Sequence, residues 1–263
     1  MKRSKRFAAL AAALAVAGSV ALTGCSDSDA DGDAPASSDP GAASTLNAAA
    51  DATAALTGAH LQITVDGKLQ SLNASSVEAD VQTKPEIVGE GTATLTMGQK
   101  STKAPFVYVD GRMYADIDDQ GYIDYGDGRS IYDVSKVLDD EKGVPAVLRS
   151  IDGAAEDGTE AVDGTEATKI TGTVAAADLS GLTGLSEKAK GIDEEIPVTV
   201  WVAKDGSNHV LRVEAAPAKD ASLTVTLSDF DKKVEVSKPK DVKRPSKKPT
   251  STDPSQPTRE PAA

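Results

Sequence analysis

Apolar and polar residues alternate with a period of two along most of this chain. Leu61, Ile63 and Val65 share one face opposite Gln62 and Thr64, and the run ends at Asp66-Gly67, a hairpin signal. Val77, Ala79 and Val81 alternate with Glu78, Asp80 and Gln82, and Ala93, Leu95 and Met97 with Thr92, Thr94 and Thr96. The segment Phe106-Val107-Tyr108-Val109 turns at Asp110-Gly111 and resumes as Met113-Tyr114-Ala115-Asp116-Ile117, a hairpin with a two-residue turn. Further on, Asp163-Gly164 leads into residues 167–174, where Ile170 and Val174 oppose Thr171 and Thr173. Val198, Val200 and Val202 alternate with Thr199, Trp201 and Ala203 up to Asp205-Gly206. Strands follow at Leu211 and Val213, at Leu223, Val225 and Leu227, and a last short one at Val234 and Val236.

Helical spacing interrupts this pattern three times. Ser44 is placed to cap a helix whose stripe is Leu46, Ala49, Ala50, Thr53, Ala54 and Leu56, with Gly58 as its stop. Between Tyr132 and Ile151, a short turn through Val137 and Leu138 precedes a stripe of Val144, Val147, Leu148 and Ile151, with Pro145 near its start. Residues 175–185 read as one short helix, and the stretch to Ile196 as a mobile loop. One-sided alternation with tight hairpins describes an antiparallel sheet, Thr-rich on one face and apolar on the other, and argues against a doubly wound parallel sheet. The expected class is α+β, a curved antiparallel sheet with a few helices on its apolar face.

The ends of the chain have no such period. Lys2, Arg3, Lys5 and Arg6 precede an apolar run over residues 7–22, and Leu22-Thr23-Gly24-Cys25 closes it. A basic start, a short apolar segment and small residues before a cut form a secretory signal. The residue after the small pair is the chain's single cysteine, which resembles a bacterial lipobox. The resemblance implies cleavage after Gly24 and acylation of Cys25. An ordinary signal peptide or an uncleaved helix ending near a cysteine is the alternative, but an Ala-rich run with Gly18 inside it is short for a span of about 20 residues. Residues 25–43 follow as the lipidated cysteine and a flexible acidic tether of Ser, Asp, Ala, Gly and Pro. Residues 44–237 form one domain, and residues 238–263 a disordered basic tail rich in Pro and Lys.

Charge and residue usage narrow the chemistry. The formal net charge is −13, and the four cations of the signal leave the rest of the chain at −17. That balance repels nucleic acid, which needs clustered Lys and Arg. With Cys25 assigned to lipid there is no disulfide and no catalytic thiol, and with two histidines there is no His-rich metal site. No nucleophile elbow, no zinc-protease His pair and no phosphate loop occurs, so no enzyme and no cofactor is expected. His60 and His209 read as surface or capping residues. The acid-rich stretches Asp116-Ile117-Asp118-Asp119 and Asp124-Tyr125-Gly126-Asp127 do not follow the spacing of a calcium loop and read as solvated turns. The tail cations Lys238, Lys240, Lys243, Arg244, Lys247 and Lys248 could meet anionic headgroups or wall polymer, or stay solvated.

A binding module for an apolar ligand fits this inventory best. A curved one-sided sheet under helices leaves a concave apolar volume, and aromatics at 3% of residues leave few bulky rings to fill it. A solid core of Val and Leu is the alternative, giving a structural or signalling protein that binds protein partners.

Several segments, in one order, resemble the actinobacterial LppX/LprAFG lipoprotein family. They are Ala59-His60-Leu61 with Val65-Asp66-Gly67, and Phe106-Val107-Tyr108-Val109-Asp110-Gly111 with Tyr114-Ala115. Ile131-Tyr132-Asp133, Val137-Leu138-Asp139, Gly143-Val144 and Val147-Leu148 continue it. Ile170-Thr171-Gly172-Thr173-Val174, Val198-Thr199-Val200-Trp201-Val202 and Thr226-Leu227-Ser228 complete it. The resemblance covers residues 44–237. Tyr122 departs from an expected Trp, and the long basic tail is not a usual feature of the family. The resemblance implies a half-barrel around an apolar cavity for the acyl chains of a lipid or glycolipid such as triacylglycerol or a lipoglycan. It also implies a monomer tethered to the plasma membrane, and an exporter of the major facilitator type as partner. The cavity residues expected on this basis are Leu61, Ile63, Val65, Ala93, Leu95, Met97, Val107, Val109, Val147, Leu148, Val198, Val200 and Val202.

Overall fold

The computed structural model describes residues 38–67, 74–97, 100–117, 119–128, 134–183 and 194–243. All of them lie in the second of two compact units, Met1–Ala34 and Pro35–Ala263. The signal segment, Cys25, the loop over residues 184–193 and the tail from Arg244 are outside the described residues.

Helix α1 spans Pro40–Ala55. It begins four residues ahead of the expected Ser44 cap, because Asp39 accepts a hydrogen bond from the Gly41 backbone N–H and Pro40 supplies a preset first-turn φ. Its buried stripe is Ala42, Leu46, Ala49, Ala50 and Thr53, all but Leu46 small side chains that let the helix lie close to what it covers. Thr53 donates its hydroxyl back to the Ala49 carbonyl at 2.8 Å, so no buried polar group is left unpaired there. Gly58 opens the first strand and is not the helix stop.

Among the described residues eleven strands follow: β1 (Gly58–Asp66), β2 (Ala74–Gln82), β3 (Val88–Met97), β4 (Lys100–Val109), β5 (Arg112–Ala115) and β6 (Ile123–Asp127). After the helical interruption come β7 (Asp152–Val162), β8 (Thr165–Ala175), β9 (Glu195–Ala203), β10 (Val210–Ala218) and β11 (Ala221–Ser228). All pair antiparallel in one sheet of order β6-β5-β4-β3-β2-β1-β11-β10-β9-β8-β7. Two meanders are thus joined where β1 meets β11, and the sheet curls as an open half-barrel. The fold is the expected α+β. Asp110-Gly111 and Asp163-Gly164 both have positive φ at the two central residues, the turn that matches strand twist in a two-residue hairpin.

A single-turn 3-10 segment (Val134–Leu138), α2 (Val144–Arg149) and α3 (Ala176–Thr183) are the other helical elements among the described residues. α1 packs on α2 and on β7, β9 and β10, while α3 packs on α2 and β8. The α-helices therefore cover the β7–β10 side of the inner face, and only the 3-10 segment, with Val137 and Leu138 buried, reaches across to β2.

Three elements differ from expectation. β7 has no alternation to announce it. It is an edge strand whose residues from Glu156 to Ala161 are all exposed, and two irregularities in its ladder with β8 shift the phase. β6 is likewise a short polar edge strand. No strand forms at Val234 and Val236. That segment leaves β11 and runs as an extended strap over the outer face, and it stays in place to Lys243 where a disordered tail had been expected from Lys238 onward. Lys243 donates its backbone N–H to the Tyr122 carbonyl at 2.8 Å and makes an isolated parallel bridge to Ile123.

Candidate functional site: the inner face of the curled sheet

Register aligns the inward residues of successive strands into rows. One row runs Ile170, Val200, Val213, Val225, Ile63, Val77, Ala93, Ala104 from β8 to β4, each directly opposite the next. Under the helices the row is dry: Val200 is 0% exposed, Ile170 and Val225 1%, Val213 3%. On β1 to β3 Ile63, Val77 and Ala93 are only half-buried, though they still pack against the same core, and the row closes again at Ala104 on β4, 3% exposed. The neighbouring row repeats the gradient, with Val198, Ala215 and Leu223 buried and Val65 half-buried. Leu95, two residues beyond Ala93 on the same face, is half-buried as well.

Below these rows the floor is closed. Leu227, Leu61 and Ala79 stand opposite one another and Gly91 continues the row to Phe106. A Cβ on Gly91 would lie 2.7 Å from the Ala79 Cβ, so only glycine allows β2 and β3 this approach. The inner face thus grades from a sealed floor and a helix-covered half to an apolar rim formed by Ile63, Val65, Val77, Ala93 and Leu95. A large apolar side chain left half-exposed at one position is ordinary; a contiguous set on a concave face is how an apolar ligand site is built.

Ten of the residues expected in a cavity lie on this inner side. Leu61, Ile63, Val65, Ala93, Leu95, Val198, Val200 and Val202 come from the sheet, and the buried Val147 and Leu148 face them from α2. Met97 ends β3, the strand on which Ala93 and Leu95 stand. Val107 and Val109 do not belong here. Phe106 and Tyr108 are the inward pair of β4, and Val107 and Val109 pack on the outer face with Val88, Tyr114 and Val234. Phe-Val-Tyr-Val is apolar on both faces, so its period carries no phase, and a one-residue error inverts it. Val77, Ile170, Val213 and Val225 belong to the same rows and were signalled by the same alternation, but only register puts them beside Ile63 and Ala93.

Polar groups sit elsewhere. His60 Nδ1 lies 2.7 Å from Asp80 Oδ1, and Lys232 Nζ donates to the same carboxylate at 3.0 Å. Burial of Asp80 works against its ionisation, but the hydrogen bonds from His60 and Lys232 outweigh it and hold the carboxyl below its ordinary value. The acid-rich turns serve the chain itself. Asp116 caps the Gln120 and Gly121 N–H groups, and Asp124 binds Arg112 at 2.7 Å. Among the described residues no group of three or more His, Cys, Asp or Glu is placed to hold a metal. A cleft of about 680 Å³ opens on the outer face beside the strap. Its lining includes Glu86, Asp110, Glu235 and Lys238, charged groups that an acyl chain would have to desolvate.

The sequence and the fold are similar to those of known proteins. The family model described as LppX_LprAFG lipoprotein matches residues 41–236. Lipoprotein LprA of Mycobacterium tuberculosis is 41% identical over 199 residues, which are 75% of this chain and 81% of that protein. The lipoarabinomannan carrier protein LprG of Mycolicibacterium smegmatis is 35% identical over 243 residues, 91% of this chain and 99% of that one. The crystal structure of LprF from Mycobacterium bovis aligns with a TM-score of 0.69 at 25% identity, covering 77% of this chain and 99% of that one. The match runs from the first turn of α1 through all eleven strands into the strap, and the chain belongs to the LppX_LprAFG lipoprotein family.

Proposed function

We propose that this protein is an extracytoplasmic lipoprotein, anchored to the plasma membrane through Cys25, that binds the acyl chains of a lipid or glycolipid on the inner face of its sheet and carries or presents them within the cell envelope. The observation that carries this reading is the burial gradient along one cross-strand row, from 0% exposure at Val200 to the half-buried Ile63, Val77 and Ala93. An acyl chain laid along the rim would complete the burial that the helices begin. Burying a 16-carbon chain contributes a gross ~12 kcal/mol at about 0.8 kcal/mol per methylene, before the cost of association is subtracted. The similarity to LprG, a lipoarabinomannan carrier protein, supports a lipoglycan-like cargo, with triacylglycerol as the alternative. Handing the cargo on calls for a membrane partner, for which a major-facilitator exporter is the candidate. The work is binding and release, with no bond made or broken.

Native mass spectrometry of the chain from Ser26 onward, before and after solvent extraction, tests this reading. Bound species with the masses of two- or three-chain lipids are expected. A bare protein from a host that makes such lipids would favour a solid-cored domain that binds protein. Replacing Ala93 with Trp fills the rim from β3, and the variant is expected to fold and to lose at least tenfold in lipid uptake. A folded Ala93→Trp protein with unchanged uptake would remove the rim from the site.

A further inference from the structure

Lipid carriage leaves the cleft of about 680 Å³ on the outer face without a use. Three segments build it: the end of β2 with the loop to β3, the β4–β5 turn, and the strap. Gln82 joins two of these walls. Its side-chain carbonyl accepts the Val234 backbone N–H at 3.2 Å, and its amide donates to the Glu86 carbonyl at 3.4 Å. The floor is apolar, made by the buried Val88, Val109 and Val234 with the half-buried Val236 beside them. The lip is acidic: Glu86, Asp110 and Glu235 are exposed and form no ion pair among the described residues. Lys238, the cation on this lining, is already engaged, over the Tyr114 ring at 5.6 Å and within electrostatic reach of Asp124. The volume lies within the about 300–1,000 Å³ of ligand sites, and an apolar floor with a few converging charges is their usual make-up.

The strap adds a second feature. Val234 and Val236 turn inward while Lys233, Glu235 and Ser237 are exposed, the alternation of an extended strand. Unlike a strand within the sheet, residues 235–238 give their backbone N–H and C=O groups to no partner among the described residues. An unpaired extended edge is a template for another strand, and recognition by strand addition takes affinity from that edge and specificity from the pockets beside it. We propose that this cleft docks an extended segment of a partner protein that carries lysine or arginine. Its backbone pairs with the strap over residues 235–238, about 13 Å of strand. The aliphatic stem of its basic side chain lies on the valine floor, and the charged end reaches Glu86, Asp110 and Glu235. A free polyamine would meet the carboxylates but leave the strap edge unpaired, and an acidic segment would be repelled, so the two features together select a basic peptide. The cleft and the apolar rim lie on opposite faces of the sheet, which leaves partner and cargo free to be held at once.

Titration of the isotope-labelled chain from Ser26 with the peptide acetyl-Thr-Lys-Thr-Lys-Thr-amide at low salt, followed by amide chemical shifts, tests this. Shifts confined to residues 82–88, 109–111 and 234–238 are expected, with binding at least tenfold tighter than that of acetyl-Thr-Glu-Thr-Glu-Thr-amide. The basic peptide N-methylated at every internal amide cannot add a strand and should bind at least fivefold more weakly. A double variant, Glu86→Gln with Glu235→Gln, changes two exposed side chains and should lose at least tenfold for the basic peptide with its melting temperature unchanged. Equal binding of the acidic peptide, shifts elsewhere on the sheet, or full binding by the double variant would overturn the proposal. Undiminished binding of the N-methylated peptide, or spermine bound at the same residues as tightly as the peptide, would overturn it too, by leaving a site for amines and not for a strand. Cargo uptake by the double variant, read by native mass spectrometry, should be unchanged, so a failed cleft and a failed carrier reading give different results.

Discussion

At the scale of single residues, Asp80 has the most to lose. Its carboxylate ties β2 to His60 on β1 and to Lys232 at the root of the strap. Because its pKa is lowered by folding from 3.8, its contribution is present above that value and disappears as pH falls through the lower folded one. Asp80→Asn should therefore cost about 1 kcal/mol in urea unfolding at pH 7, with the two proteins converging below pH ~3.8. A difference that persists at pH 2 would place the effect outside ionisation. Gly91 makes the complementary case for shape. Gly91→Ala must push β2 and β3 apart at a sealed floor, and a loss of about 1–3 kcal/mol is expected in the same assay.

Elements show why the outer face is not simply the wet side of the sheet. Tyr114 is 1% exposed and Val234 9%, burial that the strap and the β3–β5 surface provide to each other. Val234→Asp would set a charge among Val88, Val107 and Val109, at a cost of about 2–3 kcal/mol if the strap stayed. Release of the strap is the cheaper response. Rapid tryptic cleavage at Lys233 and Lys238 is expected in this variant, with the circular dichroism of the sheet retained; a resistant strap would count against its anchoring by these valines. At the other edge β7 carries Glu156, Asp157 and Glu160 outward, charges that discourage another chain from pairing with an open strand.

For the whole molecule the decisive feature is unequal cover. The helices pack on the β7–β10 side, and the rows they seal continue as half-buried residues on β1 to β3. A ligand that completes this cover stabilises the folded state by mass action. Lipid-loaded protein should therefore melt several degrees above the extracted form, with slowed amide exchange concentrated in β1, β2 and β3. Protection spread evenly over the sheet would indicate a general effect and not occupation of the rim.

The alternation of Leu61, Ile63 and Val65 with Gln62 and Thr64, repeated strand after strand, was sufficient for a one-sided antiparallel sheet, because a strand's side chains alternate faces whatever surrounds it. Asp110-Gly111 and Asp163-Gly164 were sufficient for tight turns, because few dipeptides tolerate two positive φ values. Tertiary structure alone decided what depends on partners far along the chain. The phase of β4, apolar on both faces, was set by the strap behind Val107 and Val109. β7 exists as a strand because β8 offers it a ladder, its own sequence having no period. The rim was decided last: the same Val and Ile residues are sealed on β8 to β11 and half-open on β1 to β3, since burial depends on where three helices come to rest and not on the residues themselves.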